Sequence, residues 1–251
     1  MISVADLFAL VLLVVALILS VVFAALARGK FKPTLRQLSA YEALSGQVGE
    51  AVESGGRVHV STGSSGIVGE DTATTLAGLV VLESVAERSA VSDRSPLGTT
   101  GDATALLAIS DAIRRAYRQQ GALARLDPTA SRLVALDPLT FAAGATSLIV
   151  DEDTTANVLV GSFGQEVALM TEAGARKGLS QSVGSARIEG QAVAFVAADH
   201  PLIGEEMFVA GAYLGKGPGW LGSLAAQDVL RWLLVVAIGL GVVLKTINVL
   251  R

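Results

Sequence analysis

RVHVSTGSSG, residues 57–66, decides how the chain is read. It opens as a short β-branched, apolar run and breaks at Gly63-Ser64-Ser65-Gly66. A helix capped by Asp71 or Thr72 and running to about Ser89 then follows. NVLVGSFG, residues 157–164, repeats the order: strand, Gly-Ser-x-Gly turn, then the helical GQEVALMTEAGARK (164–177). A strand that passes through a tight turn into a helix is half of a βαβ unit. Two such passages point to a parallel sheet with helices on its faces.

The neighbouring segments extend the pattern. SPLGTT (95–100) is a weaker strand, and Asp102 caps the helix ATALLAISDAIRRAYRQQ. RLVAL (132–136) is a strand, and Asp137-Pro138 opens the next helix with a cap and a proline at its first position. LSQSVGS (179–185) is a further strand and ARIEGQAVAFVAAD (186–199) a further helix. The strands are apolar without strict alternation, as strands buried on both faces are. The expected fold is a layered, Rossmann-like α/β domain with a mostly parallel sheet over residues 57–225. A βαβα pseudo-repeat relates 57–120 to 157–199. Residues 33–56 form an amphipathic helix with Leu35, Leu38, Tyr41, Leu44 and Val48 on one stripe, within a juxtamembrane segment 29–56.

Each end carries a long apolar run. Leu7–Ala27 has 21 residues, one serine and no charge, enough to cross a core of roughly 30 Å at about 1.5 Å per residue. A signal peptide usually has a shorter apolar core behind a basic start, so 1–28 reads as a retained anchor. Val229–Leu250 is the second span, within 226–251, with Arg231 and Trp232 at one interface and Lys245 snorkelling at the other. Arg28, Lys30, Lys32 and Arg36 directly follow the first span, which places the central domain in the cytoplasm by the positive-inside rule. Lys245 and Arg251 on the far side oppose it weakly.

Composition narrows the chemistry. The chain of 251 residues is 51% hydrophobic and 17% charged, with a formal net charge of −4 and no cysteine. Its mean hydropathy of +0.57 is high for a soluble enzyme. Thiolate metal sites and cysteine nucleophiles are excluded, and the electrostatic footprint of a nucleic-acid partner is missing. The sharpest candidate for a ligand site is the carboxyl edge of the sheet. There Thr62, Gly63, Ser64, Ser65, Gly66, Thr100, Gly101, Asp102, Gly161, Ser162 and Gly164 would offer amides and hydroxyls to an anion. Walker and full GxGxxG patterns are absent, and tight βα turns need glycine and serine for their own geometry. Gly63-Ser64-Ser65-Gly66-Ile67 fails the nucleophile-elbow pattern at its last position. His59, within a strand, reads as a packed residue.

DHPLIGEEMFVAGAYLG (199–215) resembles an active site, with Asp199, His200, Glu205 and Glu206 close together. Adjacent glutamates on a helix point about 100° apart, so they do not converge on one metal. Asp199 and Pro201 read as helix punctuation and the glutamates as first-turn charges. Gly204, Glu205, Glu206, Phe208, Gly211, Tyr213 and Gly215 then form a packing or assembly face. No catalytic residue, metal or cofactor is assigned.

LIGEEMFVAGAYLG, AAQDVLRWLL and the amino-terminal span, with VGSFGQE and IGEEMF as the best motifs, carry a resemblance. The chain resembles an uncharacterised family of bacterial membrane-anchored α/β proteins, a domain of unknown function. The resemblance implies the architecture and brings no activity or ligand. The expected function is a non-enzymatic, two-pass inner-membrane scaffold whose cytoplasmic domain forms a homo-oligomer, with the bilayer and further proteins as partners. Glycines 204, 211, 215, 239 and 241 allow close helix approach. The alternative is a membrane-tethered sensor or enzyme that binds a nucleotide or other ligand at the glycine turns. Transport is disfavoured, because two spans without buried acids offer no pathway.

Overall fold

The computed structural model describes residues 4–29 and 35–246 and divides into two compact units. Arg36–Ala210 is the first; Met1–Leu35 together with Gly211–Arg251 is the second.

The Arg36–Ala210 unit is a doubly wound α/β domain. Its strands are β1 (Arg57–Gly63), β2 (Leu97–Thr100), β3 (Ser131–Leu133), β4 (Thr154–Ser162), β5 (Ser180–Ser185) and β6 (His200–Leu202). All neighbours pair in parallel, in the order β3-β2-β1-β4-β5-β6. The chain builds outward from β1 in one direction, then returns to start again at β4 and builds in the other. The winding therefore reverses between the two Gly-Ser-x-Gly turns.

Helices α2 (Ser39–Ser54), α3 (Thr72–Ser89), α4 (Ala103–Gln119), α5 (Pro138–Asp151), α6 (Val167–Arg176) and α7 (Ile188–Ala197) cover the sheet. α2 starts at Ser39, so Leu35 of the predicted stripe lies outside it and Leu38 sits at its N-cap; Leu38, Tyr41, Leu44 and Val48 are buried. α4 and α5 start where their caps require, with the Asp102 carboxylate accepting from the amides of Thr104 and Ala105, and that of Asp137 from Thr140. On one face Phe141 and Ile149 of α5, Met170 of α6 and Ala194 of α7 close over Leu159 and Val183 of the sheet. β1 is buried at all seven positions and β4 at eight of nine, which explains the lack of alternation in their sequences.

Three local expectations need correction. Asp199-His200-Pro201 is not a junction between helices: His200–Leu202 is an edge strand, and Asp199 caps nothing but accepts from the Gln181 amide at 2.9 Å. A proline is tolerated there because an edge strand leaves one side of its backbone unpaired. β3 stops at Leu133, two residues after Ser131, since only Ser131–Leu133 keeps register with β2. α6 starts at Val167, because Gly164–Glu166 forms a turn closed by the Glu166 carboxylate on the Gly164 amide at 2.7 Å.

The other unit holds α1 (Val4–Ala27) and α9 (Pro218–Thr246), which pack against each other, after the short α8 (Ala210–Tyr213). Gly222 of α9 lies against the Ala24 backbone of α1, and the Trp220 ring covers Gly211; a Cβ at either glycine would collide. Both long helices are long and apolar enough to cross a membrane. The end of the predicted second span, 247–250, and Lys30 and Lys32 lie outside the described residues.

Candidate functional site

The reversal of winding brings the two glycine turns together at the carboxyl edge. Gly63 has φ +85°, a left-handed conformation that favours glycine, and its Cα lies against the Ser162 backbone. Gly161 lies in turn against the Thr62 carbonyl. Ser64 N–H donates to the Ser162 carbonyl at 3.2 Å, and Gly101 N–H to the Gly63 carbonyl at 2.9 Å. The predicted ligand residues of 62–66, 100–102 and 161–164 thus share one small region.

Several donors in and beside these turns, however, are committed within the fold, although the buried Thr62 hydroxyl has no hydrogen-bond partner. Ile67 N–H reaches Thr104 Oγ1 at 3.1 Å, and Asp102 N–H reaches Thr100 Oγ1 at 3.2 Å. Thr100 Oγ1 donates to the Gly63 carbonyl. Phe163 N–H bonds Ser185 Oγ, and Gly164 N–H bonds Glu166. Between the turns sits a carboxylate: Asp71 Oδ2 accepts from Ser65 Oγ at 2.8 Å and from Ser162 Oγ at 2.9 Å. Asp71 therefore bridges the two half-sites, although its position in sequence marks it as a helix cap. Asp102 is held below the usual carboxylate range, chiefly by the Thr104 hydroxyl, against burial and with help from the Ala105 and Thr104 amides. With Asp71, Asp102 and Glu166 in place, this edge is built to accept hydrogen bonds rather than donate them, the reverse of a phosphate cradle.

A second polar feature crosses the middle of the sheet. His59, fully buried, contacts Asn157 Oδ1 through Nδ1 and Thr99 Oγ1 through Nε2, both at 2.8 Å. Asn157 Nδ2 donates to Gln181 Oε1 at 3.0 Å, and Gln181 Nε2 to the Thr171 carbonyl. Because Asn157 donates toward Gln181, its carbonyl faces His59, so Nδ1 carries the imidazole proton and Nε2 accepts from Thr99. The ladder runs in one direction from β2 to α6 and satisfies every member. Burial lowers the His59 pKa from 6.5 to about 4, against the Asn157 hydrogen bond, so the ring is neutral. Lateral register between strands is invisible in one sequence, so the ladder had no signal beyond a polar residue in the middle of each strand.

At the amino edge, buried Arg57 pairs with Asp127 and Glu152, each at 2.9 Å, and donates Nε–H to the Ser95 carbonyl. Arg132 joins Glu152 at 2.6 Å. The Arg132 hydrogen bond, opposed by burial, keeps Glu152 below the usual range, and Arg57 adds to it. For Asp127 burial acts upward, but the Thr129 hydroxyl and amide and Arg57 outweigh it.

The residues of 204–215 are divided between the two units, with Gly204, Glu205, Glu206 and Phe208 in one and Gly211, Tyr213 and Gly215 in the other. Glu205 and Glu206 lie in the first turn of a 3-10 segment, Gly204–Val209. Glu206 pairs with Arg36 and accepts from Ile203 N–H at 2.9 Å, while Tyr41 donates to the Glu206 carbonyl at 2.8 Å. Among the described residues, no three His, Asp or Glu side chains converge as a metal site.

One uncovered apolar surface of the α/β unit is on α7. Only Gly190 and Ala194 of this helix are buried. Ile188 is 81% exposed, Phe195 73% and Val196 85%. A groove of about 700 Å³ runs between α6 and α7.

These features define a class: a doubly wound α/β domain with an acid-rimmed switch point, in a chain with an apolar helix at each end. The chain belongs to the family described as a domain of unknown function, DUF6754, whose profile matches residues 2–251. No curated protein and no solved structure matches it.

Proposed function

We propose that this chain is a two-pass protein of the bacterial inner membrane, with its α/β unit in the cytoplasm, and that it acts by self-assembly rather than catalysis. The observation that carries the reading is α7. α7 turns Ile188, Phe195 and Val196 outward on one ten-residue helix, whereas other exposed large apolar residues of the unit, Val68, Val91, Leu107 and Leu136, stand on separate segments. A contiguous apolar patch of this kind marks an interaction surface. The membrane placement rests on the length and composition of α1 and α9 and on the basic residues after Ala27. Two anchors on one chain keep copies in a common plane, which raises the effective concentration for pairing. Native mass spectrometry of the chain released from nanodiscs is expected to show a discrete oligomer, and monomers alone would refute the proposal.

The strand order supports a second reading, ligand binding at the winding reversal. The carboxylates there favour a hydroxyl-bearing or cationic ligand over a nucleotide phosphate. Thermal shifts with polyols, amines and nucleotides test it, and a response confined to nucleotides would contradict that preference.

A further inference from the structure

We infer that Asp228 and Arg231 form a polar contact inside the bilayer, through which α9 pairs with α9 of a second copy. The inference rests on the two-pass, self-assembling reading and names a contact for it within the membrane.

The depth of the two charges follows from the packing of α1 on α9. The end of α1 meets the start of α9 at Ala24 and Gly222. Covered or partly covered side chains run from there back to Val15 on α1 and on to Leu230 on α9, so the two helices lie antiparallel. At about 1.5 Å per residue on both helices, Asp228 and Arg231 are level with Ile18 and Val15. Those positions are near the middle of the uncharged run Leu7–Ala27, whose Leu17, Ile18, Val21 and Val22 are open on the outer side. About ten residues, or roughly 15 Å, separate the charges from either end of that run, more than an arginine stem spans. Nor does α9 cross the core without them. Trp232–Leu244 holds 13 uncharged residues, about 20 Å against a core of roughly 30 Å. Position in sequence puts Arg231 at the membrane surface; the packing puts it inside.

The charges are turned away from α1. Asp228 and Arg231 pair at 3.6 Å along α9, with side chains 62% and 53% exposed. At 100° per residue they stand about 60° apart, on the side opposite Gly222, Ala226 and Leu230, which face α1. Charges so open to hydrocarbon are costly, and ionisable residues at this depth face protein or water. Val235, Ile238 and Val242 continue the stripe at the three- and four-residue spacing of a coiled-coil seam.

Copies inserted in the same direction are related by a two-fold axis along the bilayer normal, which keeps their α9 helices parallel. That rotation lays each flank of one seam beside the opposite flank of the other. Asp228 is on one flank and Arg231 on the other, so each Asp228 comes beside the partner's Arg231, about 4.5 Å away along the axis. Two intrahelical pairs become one neutral cluster of four charges, shielded from lipid. A lipid-facing α9 would leave the charges in hydrocarbon. A different membrane protein would have to supply the complementary set that a second copy already carries.

The absence of cysteine lets a single nitroxide report depth. Attached at Leu17→Cys in the full chain in nanodiscs, it should collide with oxygen in preference to a water-soluble nickel complex. The opposite order overturns the inference and the two-pass reading with it. Asp228→Arg and Arg231→Asp each set like charges across the seam, and each should cut the dimer in native mass spectrometry at least ten-fold. Reconstituted together, one carrying a mass tag, they place opposite charges across the seam again, and the heterodimer should return to the wild-type level. Should either variant fail to insert, Asp228→Leu combined with Arg231→Leu makes α9 more apolar and carries the test. The same ten-fold loss is expected, and an undiminished dimer overturns the contact. If the wild type is oligomeric and the single variants match it, the α9 contact is overturned while self-assembly stands. A loss that mixing does not rescue assigns the charges to their own helix or to another membrane protein, and also overturns the contact. A monomeric wild type overturns both.

Discussion

Acidification should destabilise the α/β unit through one imidazole. His59 is neutral between Thr99 and Asn157, with its pKa lowered from 6.5 to about 4 by burial. In the unfolded chain it titrates at its ordinary value. Above pH 6.5 both states hold it neutral, and it contributes no pH dependence. Between pH 6.5 and 4 the unfolded state binds the proton and the folded state does not, so stability falls as pH falls. Below about pH 4 both are protonated and the loss is complete. At 1.36 kcal/mol per unit, a difference of about 2.5 units amounts to roughly 3.4 kcal/mol, or about 300-fold in the unfolding equilibrium.

The comparison to make is His59→Gln, which can still donate to Asn157 and accept from Thr99 but does not titrate. Hydrogen exchange of peptides covering 57–63 and 154–162 is measured for both proteins in identical buffers, which cancels the intrinsic pH dependence of exchange. At pH 7.5 the wild type should be the more protected, by about 1–3 kcal/mol for the displaced ring. The gap should narrow through pH 6 and 5 and close or reverse near pH 4. A constant gap from pH 7.5 to 4 would refute the argument, as would an imidazole nitrogen titration centred near 6.5.

Arg57→Met leaves Asp127 and Glu152 without their buried partner, and should cost about 3 kcal/mol in denaturant melts. Both carboxylates are held below their ordinary values, so their contribution is present above those values and is lost as pH falls; the substitution should flatten that acid limb. Gly161→Ala drives a methyl into the Thr62 carbonyl and should lower the melting temperature by roughly 10 °C, for a cost on the order of 3 kcal/mol. Intolerance of alanine there reports backbone crowding, whether or not a ligand binds. Leu107→Cys, on the exposed side of α4, should react with an impermeant maleimide in inside-out vesicles and remain unlabelled in right-side-out ones.

What the sequence reveals depends on how local each signal is. Gly63 and Gly161 announce two strand-turn-helix passages, and Asp102 and Asp137 mark helix starts by their own side chains, so the α/β class is readable from one chain. Pro201 misleads because a proline near an aspartate marks a helix start in most contexts, and only the sheet edge makes it acceptable in β6. AVAFVA in α7 reads as a buried helix. Its outward face emerges only from the position of α7 beside the edge strand, which leaves one flank without a neighbour. The ladder from Thr99 to Gln181 depends on strand register, which composition and spacing do not encode.

Asp71 ties these threads to function. A doubly wound sheet ordinarily leaves amides and hydroxyls free at the reversal of winding, and here Asp71 holds the hydroxyls of both turns. The carboxylate takes up two hydroxyl donors that an anion at this edge would need. Asp71→Ala would remove that charge and release Ser65 and Ser162 as donors. Inorganic phosphate at ten times its dissociation constant stabilises a protein by about 1.4 kcal/mol, a shift of a few degrees. The variant should show that shift in a phosphate titration and the wild type should not. Equal stabilisation of the wild type would mean that the edge binds anions as built, and would favour the ligand-binding proposal over self-assembly.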